Sequence, residues 1–165
     1  MQRLVELAYL MAPVYFANMA PPLVRFWPWW NPPIHRRALG DHKTVIGFVF
    51  GLIAAVATTA TQHWLNWKAS LLDYDAWLTL GVCSGAGALG GDCLKSFVKR
   101  RLGKKPGSRW VPADQLDFVI GGLLALSFWI RLSFADVLMV VSMSFVADLV
   151  VNRLAYRLGL RDTRW

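Results

Sequence analysis

Acidic residues, cysteines and histidines are scarce in this chain. Of its 165 residues, ten are Asp or Glu, three are His and two are Cys. Cys83 and Cys93 fall in one apolar segment that reads as a single helix. Ten residues of helix separate them by roughly 15 Å, too far for a disulfide. They show no metal-ligand spacing either, and read as small buried residues. No GxxxxGK[ST] run occurs, so a P-loop is excluded. Internal repeats, low-complexity tracts and a soluble domain are also absent. The opening stretch "MQRLVELAYLMAPVYFANMAPPL" carries Glu6 early and has no small-residue cleavage site leading to a soluble domain. It is therefore expected to be a span and not a cleavable signal peptide.

Apolar residues are abundant, at 56% of the chain, with nine Trp and nine Phe. That exceeds the share of an ordinary soluble domain. The formal charge of +8 alone would suit nucleic acid, but a soluble basic domain would not also carry repeated long apolar runs. A bilayer is the expected surrounding. Windows near the roughly 20 residues needed to cross a hydrocarbon core predict five spans, at about 4–24, 45–67, 76–94, 117–131 and 134–156. The fourth is the weakest, since its apolar run stops at Arg131. A short tilted span with Arg131 snorkelling outward is favoured over a re-entrant segment. The fold class is thus an all-α integral membrane protein with five transmembrane helices and one domain over 1–165.

Basic residues test that count. Arg36, Arg37 and Lys43, then Lys95, Lys99, Arg100, Arg101, Lys104, Lys105 and Arg109, then Arg153, Arg157, Arg161 and Arg164 all fall on one side of a five-span chain. The other side keeps Arg3, Lys68 and Arg131, with Arg25 at a boundary. The Lys/Arg excess marks the cytoplasmic side, so the N-terminus is expected outside and the C-terminus in the cytoplasm. The aromatic and proline-rich "RFWPWWNPP" at 25–33 reads as an interfacial belt and turn.

Against this background one stretch stands apart. "GGDCLKSFVKRRLGKKPGSRWVPADQLDF" at 90–118 gathers seven of the eighteen Lys and Arg with three Asp. Anionic lipid binding explains the cations but not the acids. If the third span continues as helix, Asp92, Lys95, Ser96, Lys99 and Arg100 lie on one face, a pattern suited to a phosphate-rich ligand and a metal. Ion pairing without any ligand is the competing reading. Asp114 and Asp117, spaced i, i+3 at a helix start, point the same way. Two hard oxygen donors suit Mg²⁺, which takes one or two carboxylates plus substrate phosphates. Capping accounts for Asp114 alone, whereas Asp117 beside an apolar run defaults to function. Gly103, Pro106, Gly107 and Pro112 make the segment between these elements a loop. In "GDHKT", Thr44 reads as a helix cap and His42 as a loop residue. Asn18, Asp136, Asp148 and Asn152 read as interhelical hydrogen-bonding groups, and Gly81, Gly85 and Gly87 as close-packing positions.

The 90–118 stretch resembles the signature of the CDP-archaeol synthases, small five-span relatives of the CDP-diacylglycerol synthases. The shared features are Ser96, Lys99, Arg100, Lys104 and Lys105, then "DQLD" with Gln115 where bacterial enzymes have arginine. "LGDHKTVIGF" is similar to the family's "GxxKTxxG" loop, although Val45 and Ile46 replace its usual Trp-Arg, so one basic contact is missing. The resemblance implies an enzyme of the cell membrane, with its active site on the cytoplasmic side. It would move cytidylyl from CTP to a membrane lipid phosphate to give a CDP-lipid and pyrophosphate, with an archaeol-type acceptor favoured and phosphatidate the alternative. It also implies that Lys43 and Thr44 line the nucleotide site. Lys43, Lys95, Lys99, Arg100, Lys104 and Lys105 would bind phosphates, Asp114, Asp117 and perhaps Asp92 would hold Mg²⁺, and Ser96 would support a phosphate oxygen or a metal-bound water. The readings from other classes are a small anion transporter using Asn18, Asp92, Asp136 and Asp148, and a structural protein that recruits anionic lipid. No inverted repeat supports the transporter.

Overall fold

In a computed structural model the described residues are 1–26, 30–104, 108 and 110–157. Among them the chain is all-helical. Lys105, Arg109, Arg161, Arg164 and residues 27–29 of the aromatic belt lie outside the described set.

Helix α1 (Gln2–Met19) leads into a 3₁₀ turn, Pro21–Phe26. The short α2 (Arg36–Leu39) is capped by His35, whose Nδ1 accepts from the Ala38 N–H at 3.1 Å. Helix α3 (Val45–Leu65) starts at Thr44, whose Oγ1 accepts from the Gly47 N–H at 3.2 Å. It stops at Asn66, which takes the left-handed conformation with φ 44°. Thr44 was expected to cap a helix, and does. Thr44→Val is therefore expected to lower stability by about 0.5–2 kcal/mol, with recovery in Thr44→Ser, as read by thermal unfolding in detergent.

Helix α4 (Trp77–Arg101) runs unbroken past Asp92. Its 25 residues rise about 37 Å, beyond a ~30 Å hydrocarbon core, and its last turn holds Lys99, Arg100 and Arg101, where cations favour the helix dipole. Gly103 ends it with φ 68°, the Gly103 N–H donating to the Arg100 carbonyl and the Lys104 N–H to that of Lys99. This paired closure needs a residue that tolerates positive φ. Helix α5 (Ala113–Leu126) is 14 residues long, and α6 is Phe134–Arg157.

The fourth segment differs most in kind from the sequence expectation. It becomes helical at Ala113 and ends at Leu126, instead of running 117–131. Its first turn is polar, so hydropathy misses it, and Phe128 to Arg131 leave the helix.

Helix α1 is central. Its buried Leu7, Leu10, Met11, Val14 and Ala17 meet Ala55 of α3, Ala88 of α4, Phe118, Val119 and Leu126 of α5, and Val140 of α6. Successive long helices reverse direction. Arg3 at the start of α1 reaches Asp136 at the start of α6 with two 2.8 Å hydrogen bonds, while Gln62 at the end of α3 lies beside Tyr9. The start of α1 and the end of α6 therefore lie at opposite ends of the bundle. By length and composition, α1 with its following turn, α3 and α6 can each cross a membrane.

Helices α4 and α5 cross with backbone against backbone. A Cβ on Gly87 would stand 2.6 Å from the Gly121 carbonyl oxygen, and one on Gly91 would stand 3.0 Å from the Asp117 carbonyl carbon. On its other face, a Cβ on Gly81 would lie 2.7 Å from Val56 Cα of α3, and one on Gly85 would lie 2.9 Å from Ala55 Cβ. The close-packing expectation for Gly81, Gly85 and Gly87 agrees with this, and Gly91 and Gly121 join them.

Candidate functional site

The start of α3, the last turns of α4 and the start of α5 lie at one end of the bundle. They bring charged residues from three parts of the sequence together. Asp92, Lys95 and Lys99 recur at i, i+3 and i+7 of α4, on the face turned toward α5. Asp114 and Asp117, at i, i+3 on α5, face back.

Lys95 is the hub. Its Nζ lies 3.1 Å from Asp92 Oδ1, 3.3 Å from Asp114 Oδ1 and 2.7 Å from Asp117 Oδ2. Lys43, just before α3, pairs with the second oxygen of Asp92. Lys99 Nζ donates to both oxygens of Asp114, at 2.9 and 3.1 Å, and to the Ser108 carbonyl. With its side chain 8% exposed, Lys99 thus ties the loop after α4 to the first turn of α5. The Trp110 N–H donates to Asp114 Oδ2 at 2.6 Å, closing that loop from the other side. Neither Ser108 nor Trp110 was singled out in the sequence. The Trp110 contact runs through main chain, and the Ser108 one through a carbonyl that any residue supplies.

Burial pushes the Asp114 carboxyl up, but the Lys99 hydrogen bond, the Lys95 charge and the Trp110 N–H together hold it below the usual carboxylate range. Burial works against the Lys95 ammonium, yet Asp92, Asp117 and Asp114 outweigh it and raise its pKa above the usual lysine range. Both groups are therefore charged at neutral pH.

Other expected site residues are arranged differently. The Ser96 hydroxyl donates to the Asp92 carbonyl at 2.9 Å, so its proton stays within α4. The Arg100 guanidinium donates to the Lys104 carbonyl, and the Lys104 ammonium lies 5.6 Å from the centre of the Trp110 ring. Thr44 uses its oxygen as the α3 cap but also lines a small pocket with Lys43, His42, Asp92, Cys93 and Gly47. Lys105 lies outside the described residues. Both cysteines are free. Asp136 is held by Arg3 of α1 and by Ser133, which matches its expected interhelical role, whereas Asp148 accepts from Asn152 at 2.8 Å within α6.

Among the described residues no three His, Cys, Asp or Glu side chains stand as a ready metal-ligand set. The donor chemistry nevertheless fits a hard cation. Asp117 Oδ1 accepts from the Phe118 N–H, while its Oδ2, on a side chain only 6% exposed, has the Lys95 ammonium at 2.7 Å. Asp92, Asp114 and Asp117 each turn one carboxylate oxygen toward that ammonium, and hard oxygens converging on one cationic point are a donor set that could hold Mg²⁺.

Comparison with known proteins identifies the family and the fold. A family model described as CarS-like, CDP-archaeol synthase, matches residues 1–165. A CDP-archaeol synthase of Methanospirillum hungatei is 38% identical over 141 residues, covering 79% of this chain and 82% of the relative. One from Methanoculleus marisnigri is 36% identical over 138 residues with the same coverage. One from Archaeoglobus fulgidus is 34% identical, covering 79% and 78%. A solved structure of an intramembrane enzyme for archaeal membrane lipid biosynthesis superposes with a TM-score of 0.74 at 26% identity, over 88% of this chain and 91% of that one. A family-model match over residues 1–165 and a fold match over 88% of the chain place the bundle in one known lineage: this chain belongs to the CDP-archaeol synthase family of membrane-embedded cytidylyltransferases.

Proposed function

We propose that the chain transfers cytidylyl from CTP to a lipid phosphate bearing isoprenoid ether chains, releasing pyrophosphate and leaving a CDP-archaeol-type lipid in the membrane. The observation that carries this reading is the meeting of three aspartates and three lysines at the bundle end where α4 leaves the apolar zone. A soluble triphosphate can reach that place from water, and a lipid phosphate can reach it from the bilayer. The favoured placement is the cell membrane, with all five long helices spanning, the N-terminus outside and the site on the cytoplasmic side. The Lys/Arg asymmetry and the alternating helix directions support it.

The chemistry asks for little covalent help. An oxygen of the lipid phosphate attacks the α-phosphorus of CTP, the bond from that phosphorus to the bridging oxygen breaks, and pyrophosphate leaves. No protein nucleophile is needed. The task is to align two anions and neutralise the charge that develops on the α-phosphate and leaving group. Asp114 and Asp117, with Asp92, would hold Mg²⁺, which supplies positive charge to the phosphates when bound. Lys43, which lines the pocket, and Lys95, paired beside it with the same Asp92, would contact phosphate oxygens. Lys99 keeps Asp114 in place and closes the loop. Arg100, in the last turn of α4, and Lys104, just after it, add positive potential around the entrance.

The deciding measurement incubates purified protein with labelled CTP, Mg²⁺ and either an archaeol-type phosphate or phosphatidate. The expected result is a CTP-dependent, lipid-soluble CDP product, formed preferentially from the ether lipid. No product from either acceptor would defeat the reading, and preference for phosphatidate would replace the acceptor.

A further inference from the structure

Lys95 stands where a cation bound by the three aspartates would stand. Its ammonium contacts one oxygen each of Asp92, Asp114 and Asp117 within 3.3 Å. Together with Lys43 on Asp92 and Lys99 on Asp114, it brings the group to three carboxylates and three ammoniums, a formal charge of zero. Lys43 and Lys99 approach from the edges, each touching one aspartate. Only Lys95 touches all three. Its shortest contact is with Asp117 Oδ2, at 2.7 Å, on a side chain 6% exposed. Three carboxylates converging on one ammonium form a donor set that a divalent cation could also use.

We propose that Lys95 is a resident counter-ion that makes metal binding conditional on the nucleotide. This rests on the cytidylyltransferase reading above. A divalent ion arriving alone must displace the ammonium from three carboxylates, and the displaced charge then has no anion to meet in a site only partly open to water. Its removal costs most of what the metal gains. An ion arriving with a triphosphate brings the missing anion. Lysine carries its charge on a flexible four-carbon stem, so the ammonium can turn from carboxylates to phosphate without moving α4. The carboxylates pass to the metal, Lys95 passes to the phosphate, and no charge is left unpaired. Lys95 is in this sense a positioning residue. It holds three mutually repelling acids in place while the site waits, and yields them only to a metal that comes with its phosphate.

The test uses Mn²⁺ as an electron-spin-resonance probe on the full-length protein in detergent. Mn²⁺ alone should bind the native protein weakly, and CTP should tighten it by about tenfold or more, within the usual range for coupling between two ligands. In Lys95→Gln the group becomes net negative, so Mn²⁺ alone should bind about tenfold tighter and the effect of CTP should shrink. Lys95→Arg, which keeps the charge, should bind Mn²⁺ alone as weakly as the native protein. Unchanged or weaker Mn²⁺ binding in Lys95→Gln would overturn the proposal. So would native Mn²⁺ affinity that ignores CTP, a result that stands even if Lys95→Gln fails to fold. If Asp117→Asn leaves Mn²⁺–CTP binding intact, the metal reading itself fails and takes this one with it. If Asp117→Asn abolishes binding while Lys95→Gln changes nothing, only the role of Lys95 falls.

Discussion

Asp117→Ala and Asp114→Asn are each expected to reduce CDP-lipid formation by at least about 10²–10³-fold, the scale on which loss of one charge-stabilising contact in an active site is felt. Asp117→Ala should remain folded and membrane-inserted, and Asp114→Asn should do so at reduced stability, since Asp114 is the one carboxylate that buried Lys99 contacts. Asp117 lies at the α4/α5 crossing with its side chain 6% exposed, and truncating it leaves Lys95 still paired with Asp92 and Asp114. The substitution therefore removes a carboxylate without stranding a buried cation, which is the usual cause of collapse when one partner of a buried pair is deleted. Asp114→Asn keeps an oxygen for the Trp110 N–H and has nearly the same shape, but it loses the charge that both Lys99 and Lys95 contact. Turnover is read with labelled CTP and the lipid phosphate, and folding by thermal unfolding and membrane extraction. Near-native turnover in folded variants would remove the aspartates from the chemistry, and with them the metal site.

Gly91→Ala should be nearly as damaging through a different route. The added methyl points at the main chain of Asp117, with the carbonyl carbon at 3.0 Å and its oxygen nearer still. Main chain inside a helix cannot swing aside as a side-chain end can, so α5 must shift or tilt. Overpacking of this kind typically costs about 1–3 kcal/mol. The residue displaced is Asp117 itself, whose distance from Lys95 depends on how closely the helices approach. Activity should therefore fall by more than about tenfold even at a temperature where the protein is fully folded, since small displacements of positioning groups are costly in rate. Gly90→Ala is the matched control. A Cβ there meets nothing within 4 Å, and the more helix-favouring alanine should leave stability unchanged or slightly raised. If Gly91→Ala behaves like Gly90→Ala, the close crossing is not what places Asp117.

Much of the bundle was readable because lipid-facing helices need apolar residues on nearly every side. The runs that became α1, α3 and α6 announce themselves in any long window. The polar stripe of α4 was also legible, since Asp92, Lys95 and Lys99 share a face only if the helix continues, and it does. Helix α5 was read less well. Its first turn is polar and holds Asp114, so hydropathy leaves that turn outside the span. Inside the protein that carboxylate is neutralised by Lys95 and Lys99, so the helix begins at Ala113. Gly91 was passed over for the same reason that it matters: a glycine in an apolar helix carries no mark of which neighbour needs its missing side chain.

The amino-acid sequence alone determined that the protein is a helical membrane bundle with its charge gathered at one end, because burial and chain periodicity are local properties that each segment carries with it. Which lysine serves which aspartate was decided only in three dimensions. Lys43 and Asp92 are 49 residues apart and Lys99 and Asp114 are 15 apart. The second pair forms because glycine-on-glycine contact lets α4 and α5 approach until their charged turns share one small volume, and the first because Gly81 and Gly85 let α4 pack closely on α3. Coulomb attraction acts on distance through space, and sequence separation contains no record of it.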